Sequence, residues 1–126
     1  MLTGVNHVTL VVSDLGRSVA FYRDILGLSL RHQGPRGAYL ESGALWLALE
    51  LGQPTPRADD SHIAFSCQPA DFATLAARLS GAPKWKANRS EGASIYFTDP
   101  DGHKLELHIG DLASRLASYG IKTTLQ

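Results

Sequence analysis

The stretch "NHVTLVV", residues 6–12, returns in altered form as "SHIAFSC" at residues 61–67. In both stretches a histidine stands second, and apolar residues alternate with others in the pattern of a half-buried β-strand. Self-similarity within one chain indicates two copies of one structural module. The pair therefore predicts that each half of the chain begins with an equivalent strand, at His7 and at His62.

The first predicted strand, residues 5–12, is followed by a helix and three short strands. Ser13 or Asp14 can cap the helix, and Gly27 ends it. Strand-like runs then follow at residues 29–32, 38–42 and 45–51. This order predicts one βαβββ module over about residues 1–51, and the proline-containing segment 52–60 predicts a linker.

The second half repeats the order. After the strand at residues 61–67, Pro69 opens a helix that Gly81 ends, and strands at 95–98 and 104–109 flank the turn "DPDG". Asp111 can cap a closing helix. The chain is therefore predicted to be one α+β domain over residues 1–126, with module two over about 61–110 and a C-terminal helix over about 111–119.

Composition narrows the class of protein. The 126 residues are 44% hydrophobic and contain no long apolar run, so we predict no membrane span. Twelve basic residues balance twelve acidic ones, which argues against a nucleic-acid partner. The N-terminus lacks a secretory pattern and the single Cys67 cannot form an internal disulfide, so we predict a cytoplasmic protein.

Strand alternation places three polar side chains away from the core face. His7 and His62 each lie opposite apolar neighbours, and Glu106 lies opposite Leu105 and Leu107 in the last strand. Two histidines and a glutamate form a ligand set for a divalent metal that keeps positions open for substrate. Ordinary solvated strand residues are the alternative, and the residues alone leave both possibilities open.

Longer stretches carry a resemblance to a known family. They are "LTGVNHVTLVVSDLGRSVAFYRDILGL" (2–28), "GAYLESGALWLAL" (37–49), "SHIAF" (61–65) and "KANRSEGASIYFTDPDGHKLELHIGDLASRL" (86–116). Together they resemble the fosfomycin-resistance glutathione transferases, metal enzymes of the vicinal oxygen chelate (glyoxalase-like) superfamily. The resemblance implies paired βαβββ modules in a domain-swapped homodimer with sites built from both subunits. It also implies manganese bound by His7, His62 and Glu106.

The resemblance further implies the substrates, fosfomycin and glutathione. Opening the epoxide of fosfomycin with a thiol needs positive charge at the phosphonate and a Lewis acid at the departing oxygen. The matching substrate-binding positions are Thr9, Tyr39, Trp46, Lys86, Ser90, Ser94, Tyr96 and Arg115, with Thr9, Lys86 and Arg115 as the catalytic ones. Potassium is implied in the loop "NRSEGAS", at Asn88, Ser90, Gly92 and Ser94.

Several of these residues have simpler alternative roles. Tyr39 and Trp46 could be packing aromatics, Lys86 a solvated loop charge, and Arg115 a helix-end charge. Cys67 is predicted to be a buried structural thiol. The remaining histidines receive no ligand role; these are His32, His103 and His108.

Three positions depart from the family pattern. Asp60 stands where relatives have a tyrosine, Gly34 lies near the position of a tryptophan, and the tail "GIKTTLQ" lacks an aromatic segment. These departures lie towards the predicted pocket rim and thiol approach, so they bear on glutathione recognition and leave the metal and phosphonate residues intact.

Rival functions remain. A hydrolase using water would need a carboxylate base near Ala44, whereas users of bacillithiol or cysteine differ in the loop. A ring-cleaving dioxygenase would use iron without a phosphonate clamp, and a drug-sequestering protein would need no metal. The resemblance implies a glutathione transferase that acts on fosfomycin.

Overall fold

The structure is a computed structural model that describes residues 1–120, so nearly all of the tail "GIKTTLQ" lies outside the described residues. The strands are β1 (His7–Val12), β2 (Ser29–Gln33), β3 (Gly37–Ser42), β4 (Leu45–Leu51), β5 (Ile63–Ser66), β6 (Lys84–Lys86), β7 (Ser94–Thr98) and β8 (Lys104–His108). The helices are α1 (Leu15–Ala20), α2 (Phe72–Arg78) and α3 (Leu112–Ser118), with a π-helical turn (Phe21–Ile25) after α1 and a 3-10 turn (Pro69–Asp71) before α2. In this described part, every helix is too short or too polar to cross a membrane.

The two sheets have the same topology. Their strand orders are β1-β4-β3-β2 and β5-β8-β7-β6. In each sheet the first strand pairs in parallel with the last, and the other neighbours are antiparallel. The prediction of paired βαβββ modules is therefore confirmed.

The chain divides into two compact units. The first contains Met1–Asp59 with Asp99–His103, and the second contains Asp60–Thr98 with Lys104 onward. Each unit has its own fully buried apolar side chains, such as Leu40 and Leu47 in the first and Phe97 and Leu105 in the second. The turn between β7 and β8 thus belongs to the first unit, although its flanking strands belong to the second.

Two aspartates tie this turn to the first unit. The buried Tyr22 hydroxyl donates to Asp99 at 2.7 Å, and burial together with Asp99 raises the pKa of Tyr22 well above its usual value. Asp101 accepts bonds from the backbone N–H of Ser13 at 3.1 Å and from Arg17 at 3.0 Å. These bonds explain why the predicted turn is ordered against α1.

Strand β6 was not predicted from the sequence. Its three residues pair with β7, with Lys84 opposite Phe97 and Lys86 opposite Tyr96. Trp85, between the two lysines, donates its indole N–H to the carbonyl of Leu105 at 2.9 Å. A strand with a single apolar residue has no visible alternation, so the sequence could not distinguish it from a loop.

Candidate metal and substrate site

His62 and Glu106 lie side by side in the second unit. Glu106 pairs with Ala64 across β8 and β5, and His62 immediately precedes β5. Nε2 of His62 is 2.8 Å from Oε1 of Glu106. Nδ1 of the same ring donates to the carbonyl of Asp60 at 2.7 Å. The ring is therefore oriented with Nε2 towards the carboxylate, as a histidine that shares a metal ion with Glu106 would be.

The carboxylate of Glu106 is buried and ionised. Only 7% of its side chain is exposed, and Ser94 Oγ donates to Oε2 at 2.7 Å. Burial alone would raise the pKa of Glu106, but hydrogen bonds from Ser94 and His62, with the nearby charge of His108, outweigh burial and hold it below its usual value. Oε1 is thereby available as an anionic ligand.

His7 has a similar arrangement in the first unit. Its Nδ1 donates to Oδ1 of Asn6 at 2.7 Å, which leaves Nε2 with a lone pair. Its ring stacks on Trp46, with centroids 4.5 Å apart and planes inclined by 9°. Within residues 1–120, no three His, Cys, Asp or Glu side chains of a single chain form a metal-holding group. His7 belongs to one unit, whereas His62 and Glu106 belong to the other.

A cavity of about 600 Å³ opens on the sheet of the first unit. Its lining residues include His7, Thr9, His32, Arg36, Tyr39 and Trp46. Thr9 and Tyr39 both pair with Ala48, and Tyr39 also pairs with His32, so all four residues lie in one row across the sheet. The structure thus brings Thr9, Tyr39 and Trp46 together around one cavity.

His32 and Arg36 line the same cavity but received no role from the sequence. The register between β2 and β3 shifts between Leu30 and His32. This irregularity changes which face the following residues occupy, and simple alternation does not show it. Arg36 lies beyond the end of β2, where alternation makes no prediction.

A corresponding row crosses the second unit. Lys86 pairs with Tyr96, and Tyr96 pairs with Glu106. Nζ of Lys86 lies 5.6 Å from the centre of the Tyr96 ring and 3.5 Å from Oδ2 of Asp60. The structure therefore places the predicted phosphonate contacts Lys86 and Tyr96 in the same row as Glu106, with Asp60 competing for the lysine.

The loop between β6 and β7 is built around Asn88. Its side chain donates to the carbonyl of Gly92 at 2.8 Å and accepts from the backbone N–H of Ser90 at 3.0 Å. Gly92 has a φ of 78°, and a Cβ there would lie 2.2 Å from the carbonyl oxygen of Ile109. Only glycine fits this conformation and this close approach.

A chain of hydrogen bonds connects this loop to Glu106. Ser94 Oγ lies 2.6 Å from Nδ1 of His108, and Nε2 of His108 lies 3.2 Å from Oε1 of Glu91. The same Glu91 oxygen accepts from Nε of Arg115 at 3.0 Å, and this bond is the main cause of the lowered pKa of Glu91. Sequence reasoning gave His108 no role, although alternation placed it on the same face as Glu106.

His103 and Cys67 make contacts within the fold. Nε2 of His103 donates to the carbonyl of Val11 at 2.7 Å. Cys67 is half-buried, and burial with the nearby Asp71 raises the pKa of its thiol. A raised thiol pKa reduces the thiolate fraction, so Cys67 is poorly suited to act as a nucleophile.

The family follows from comparison with known proteins. A family model for the glyoxalase/bleomycin resistance protein/dioxygenase superfamily matches residues 4–107. The chain belongs to this superfamily. Within the glyoxalase superfamily it is similar to the glutathione transferase FosA of Serratia marcescens, with 50% identity over 125 residues that cover 94% of this chain and 89% of FosA. It is also similar to the metallothiol transferase FosB of Staphylococcus epidermidis, with 41% identity over 131 residues that cover 94% of this chain and 92% of FosB.

Solved structures give the same assignment. A crystal structure of the fosfomycin resistance protein FosX from Listeria monocytogenes, in complex with Mn(II) and sulfate, superposes with a TM-score of 0.81. The two chains are 31% identical, and the match covers 94% of this chain and 99% of FosX. The predicted family resemblance and the predicted glyoxalase fold are therefore confirmed.

Proposed function

We propose that this member of the glyoxalase superfamily is a metal-dependent glutathione transferase that inactivates fosfomycin by adding the glutathione thiol to the epoxide. The observation that carries the proposal is the pair formed by His62 and Glu106, an oriented imidazole against a buried, ionised carboxylate. Glu106 of this pair lies in the same row as the cationic Lys86. The 50% identity to a glutathione transferase supports glutathione as the thiol.

The proposed metal ligands are His7, His62 and Glu106, and the proposed ion is Mn²⁺. Both imidazoles have Nδ1 bonded to an oxygen and Nε2 directed elsewhere, which suits ligation through Nε2. Two imidazoles and a carboxylate suit a divalent ion that retains open positions. When bound, Mn²⁺ would supply a Lewis acid for the epoxide oxygen.

The protein's own side chains would bind and orient the phosphonate. Lys86 and Arg115 supply positive charge, and the hydroxyl groups of Thr9, Ser90 and Tyr96 donate hydrogen bonds. Ser94, whose proton is donated to Glu106, would lie beside the phosphonate. Potassium would bind carbonyl and hydroxyl oxygens of the loop at Asn88, Ser90, Gly92 and Ser94. The tight turn at Gly92 supports this proposal because it brings backbone groups close together.

The cavity of the first unit is the proposed binding place for glutathione. Its size of about 600 Å³ suits a small peptide thiol. Arg36 lines it and could pair with a carboxylate of the tripeptide. Tyr39 and Trp46 would pack against the peptide. Because glutathione is kept reduced in the cytoplasm, we place the protein there.

We further propose a homodimer in which His7 of one subunit completes the site formed by His62 and Glu106 of the other. Apolar side chains near the N-terminus support an interface, since Leu2 and Val5 are 99% and 71% exposed. Where such exposed apolar side chains form a contiguous patch, they commonly mark an association surface.

The function is tested by product mass. Protein would be incubated with Mn²⁺, K⁺ and fosfomycin, together with glutathione, cysteine, bacillithiol or no thiol. We expect the glutathione adduct to form fastest. Rapid formation of the diol without thiol would contradict the proposal and favour hydrolysis. Unchanged fosfomycin bound to metal-free protein would instead indicate drug sequestration.

A further inference from the structure

Five side chains of the second unit form a continuous hydrogen-bonded chain. In order they are Arg115, Glu91, His108, Ser94 and Glu106. One end is a proposed phosphonate contact and the other is a proposed metal ligand. His108 is the middle member.

The single proton of the Ser94 hydroxyl sets the direction of the bonds that Ser94 makes. The Ser94 hydroxyl has one proton and donates it to Oε2 of Glu106 at 2.7 Å. Ser94 Oγ therefore accepts from Nδ1 of His108, 2.6 Å away. At 3.2 Å, Nε2 of His108 faces Glu91, whose carboxylate can only accept. Each ring nitrogen thus faces a different neighbour, and a substitute with one amide group can reach only one of the two.

Two glycines hold the imidazole in place. A Cβ at Gly110 would lie 2.7 Å from Nε2 of His108 and 3.3 Å from Oε1 of Glu91. A Cβ at Gly92 would lie 3.1 Å from Cε1 of the same ring. The side chain of His108 is only 13% exposed. A side chain at either glycine would therefore contact the ring, and glycine at both positions leaves space for it.

We infer that His108 is a positioning residue that controls Glu106 and Arg115 independently through its two nitrogens. Nδ1 holds the Ser94 hydroxyl against Oε2 of Glu106. This contact directs Oε1 of Glu106 towards His62. Nε2 lies against the same oxygen of Glu91 that Arg115 contacts, so it sets the position of this carboxylate and, through it, the position of the Arg115 side chain. The inference rests on the proposed function, because that function makes Glu106 a metal ligand and Arg115 a phosphonate contact.

Two substitutions separate the two nitrogens. In His108→Asn, the side-chain amide can take the place of Nδ1 and reach Ser94. In His108→Gln, the longer side chain can put its amide in the place of Nε2 and reach Glu91. Because groups behind a metal ligand commonly contribute 10- to 100-fold to metal affinity, we expect His108→Gln to weaken Mn²⁺ binding by about tenfold. His108→Asn should keep Mn²⁺ affinity near the wild-type value and raise the KM for fosfomycin. Mn²⁺ affinity is measured by titrating the free protein, without turnover.

A double substitution tests whether the effect passes through Ser94. If it does, His108→Gln should weaken Mn²⁺ binding by less than about twofold when Ser94→Ala is already present, because coupled residues are not additive. His103→Gln serves as a matched control, since His103 bonds to the carbonyl of Val11. It should leave both Mn²⁺ affinity and the KM for fosfomycin unchanged.

The outcomes distinguish this inference from the function on which it rests. The positioning role would be overturned if His108→Asn and His108→Gln changed the Mn²⁺ affinity and the KM for fosfomycin equally, or if neither variant changed them. The proposed transferase function would be unaffected by that result. A parallel fall in thermal unfolding midpoint and in both constants would also overturn it, because that pattern indicates a purely structural ring. Wild-type protein that binds Mn²⁺ but does not modify fosfomycin would overturn the function, and the Mn²⁺ titrations would still decide the Ser94 half of the inference.

Discussion

At the scale of single residues, Asp60 makes two contacts that can be separated. Its backbone carbonyl orients His62, whereas its side chain, 74% exposed, lies 3.5 Å from Lys86. The first contact does not depend on the side chain, and the second opposes the proposed binding of an anion by Lys86. The residue can therefore be altered without disturbing the orientation of the histidine.

We expect Asp60→Asn to strengthen fosfomycin binding. Because exposed ion pairs contribute about 0.2–1 kcal/mol, the KM for fosfomycin should fall by about 1.4- to fivefold. Steady-state kinetics at low ionic strength would measure the change. Asp59→Asn is the matched control, since Asp59 pairs with Arg57 instead. A higher KM for Asp60→Asn would contradict the proposed role of Lys86.

The residue scale also shows what the sequence could predict about the site. The faces of His7, His62 and Glu106 follow from a period of two, which a strand imposes whatever its neighbours are. The role of His108 depends on its being opposite Ser94 in the next strand, and cross-strand register is not written in one strand's pattern. His32 was missed because of the irregularity in β2.

At the scale of elements, the proposed potassium site in the loop between β6 and β7 predicts that the rate of thiol addition depends specifically on potassium. Replacing potassium at constant ionic strength should slow thiol addition, whereas a solvated loop would respond only to general screening. Loss of one group that stabilises an oxyanion commonly raises the activation free energy by about 3 kcal/mol, which lowers the rate by roughly two orders of magnitude. Loss of a potassium ion that does not touch the oxyanion directly should lower the rate by less. Thiol-addition rates in matched K⁺ and Na⁺ buffers test this.

Lys86, at the start of the same loop, should behave differently from potassium. Lys86→Ala removes a direct contact, so it should raise the KM for fosfomycin and lower the rate, without rescue by potassium. Lys84→Ala is the control, because Nζ of Lys84 bonds to the carbonyls of Leu79 and Ala82. Unchanged kinetics in Lys86→Ala would return the lysine to the role of a solvated charge.

The turn between β7 and β8 predicts a pH-dependent contribution to stability. Burial would raise the pKa of Asp101, but bonds from Ser13 and the charge of Arg17 lower it below its usual value. Because the pKa of Asp101 is lower in the folded state than in the unfolded state, its ionised carboxylate stabilises the fold above pH of about 4. This stabilisation is lost as the pH falls through the pKa of the folded state. Asp101→Asn should lower the free energy of unfolding by about 1.5–3 kcal/mol at pH 7.

Urea unfolding at pH 7 and pH 3 would measure this contribution. The difference between wild type and Asp101→Asn should shrink at the lower pH, because the wild-type carboxylate is then becoming protonated. Asp24→Asn provides an exposed comparison, since Asp24 pairs with the neighbouring Arg23. A difference that stays constant with pH would show that the lost bonds, and not the charge, stabilise the turn.

The elements themselves were largely predictable, apart from their irregular parts. Seven of the eight strands carry enough alternating or branched apolar residues to be recognised. The π-helical turn at Phe21–Ile25 continues the apolar face of α1, so its different hydrogen bonding leaves no trace in the spacing. Membership of the turn Asp99–His103 in the first unit depends on Tyr22 and α1, which are distant in sequence.

At the scale of the whole molecule, a shared site predicts complementation between inactive variants. His7→Ala and Glu106→Ala should each abolish tight Mn²⁺ binding and activity. If the site takes His7 from one subunit and Glu106 from the other, a mixed dimer contains one intact site. After subunit exchange, an equal mixture should recover about a quarter of wild-type activity. Absence of recovery despite proven exchange, for example by mass spectrometry of mixed dimers, would indicate sites built within one chain.

Each proposed histidine ligand lies against one of the two tryptophans in the chain. Trp46 stacks on His7, and the ring centroids of Trp85 and His62 are 5.1 Å apart. The emission of an indole depends on the groups that contact its ring, so a metal ion bound to the adjacent imidazole would change that emission. The molecule therefore carries an intrinsic optical reporter for each ligand, and substituting one tryptophan with phenylalanine would let the fluorescence of the other follow a single histidine.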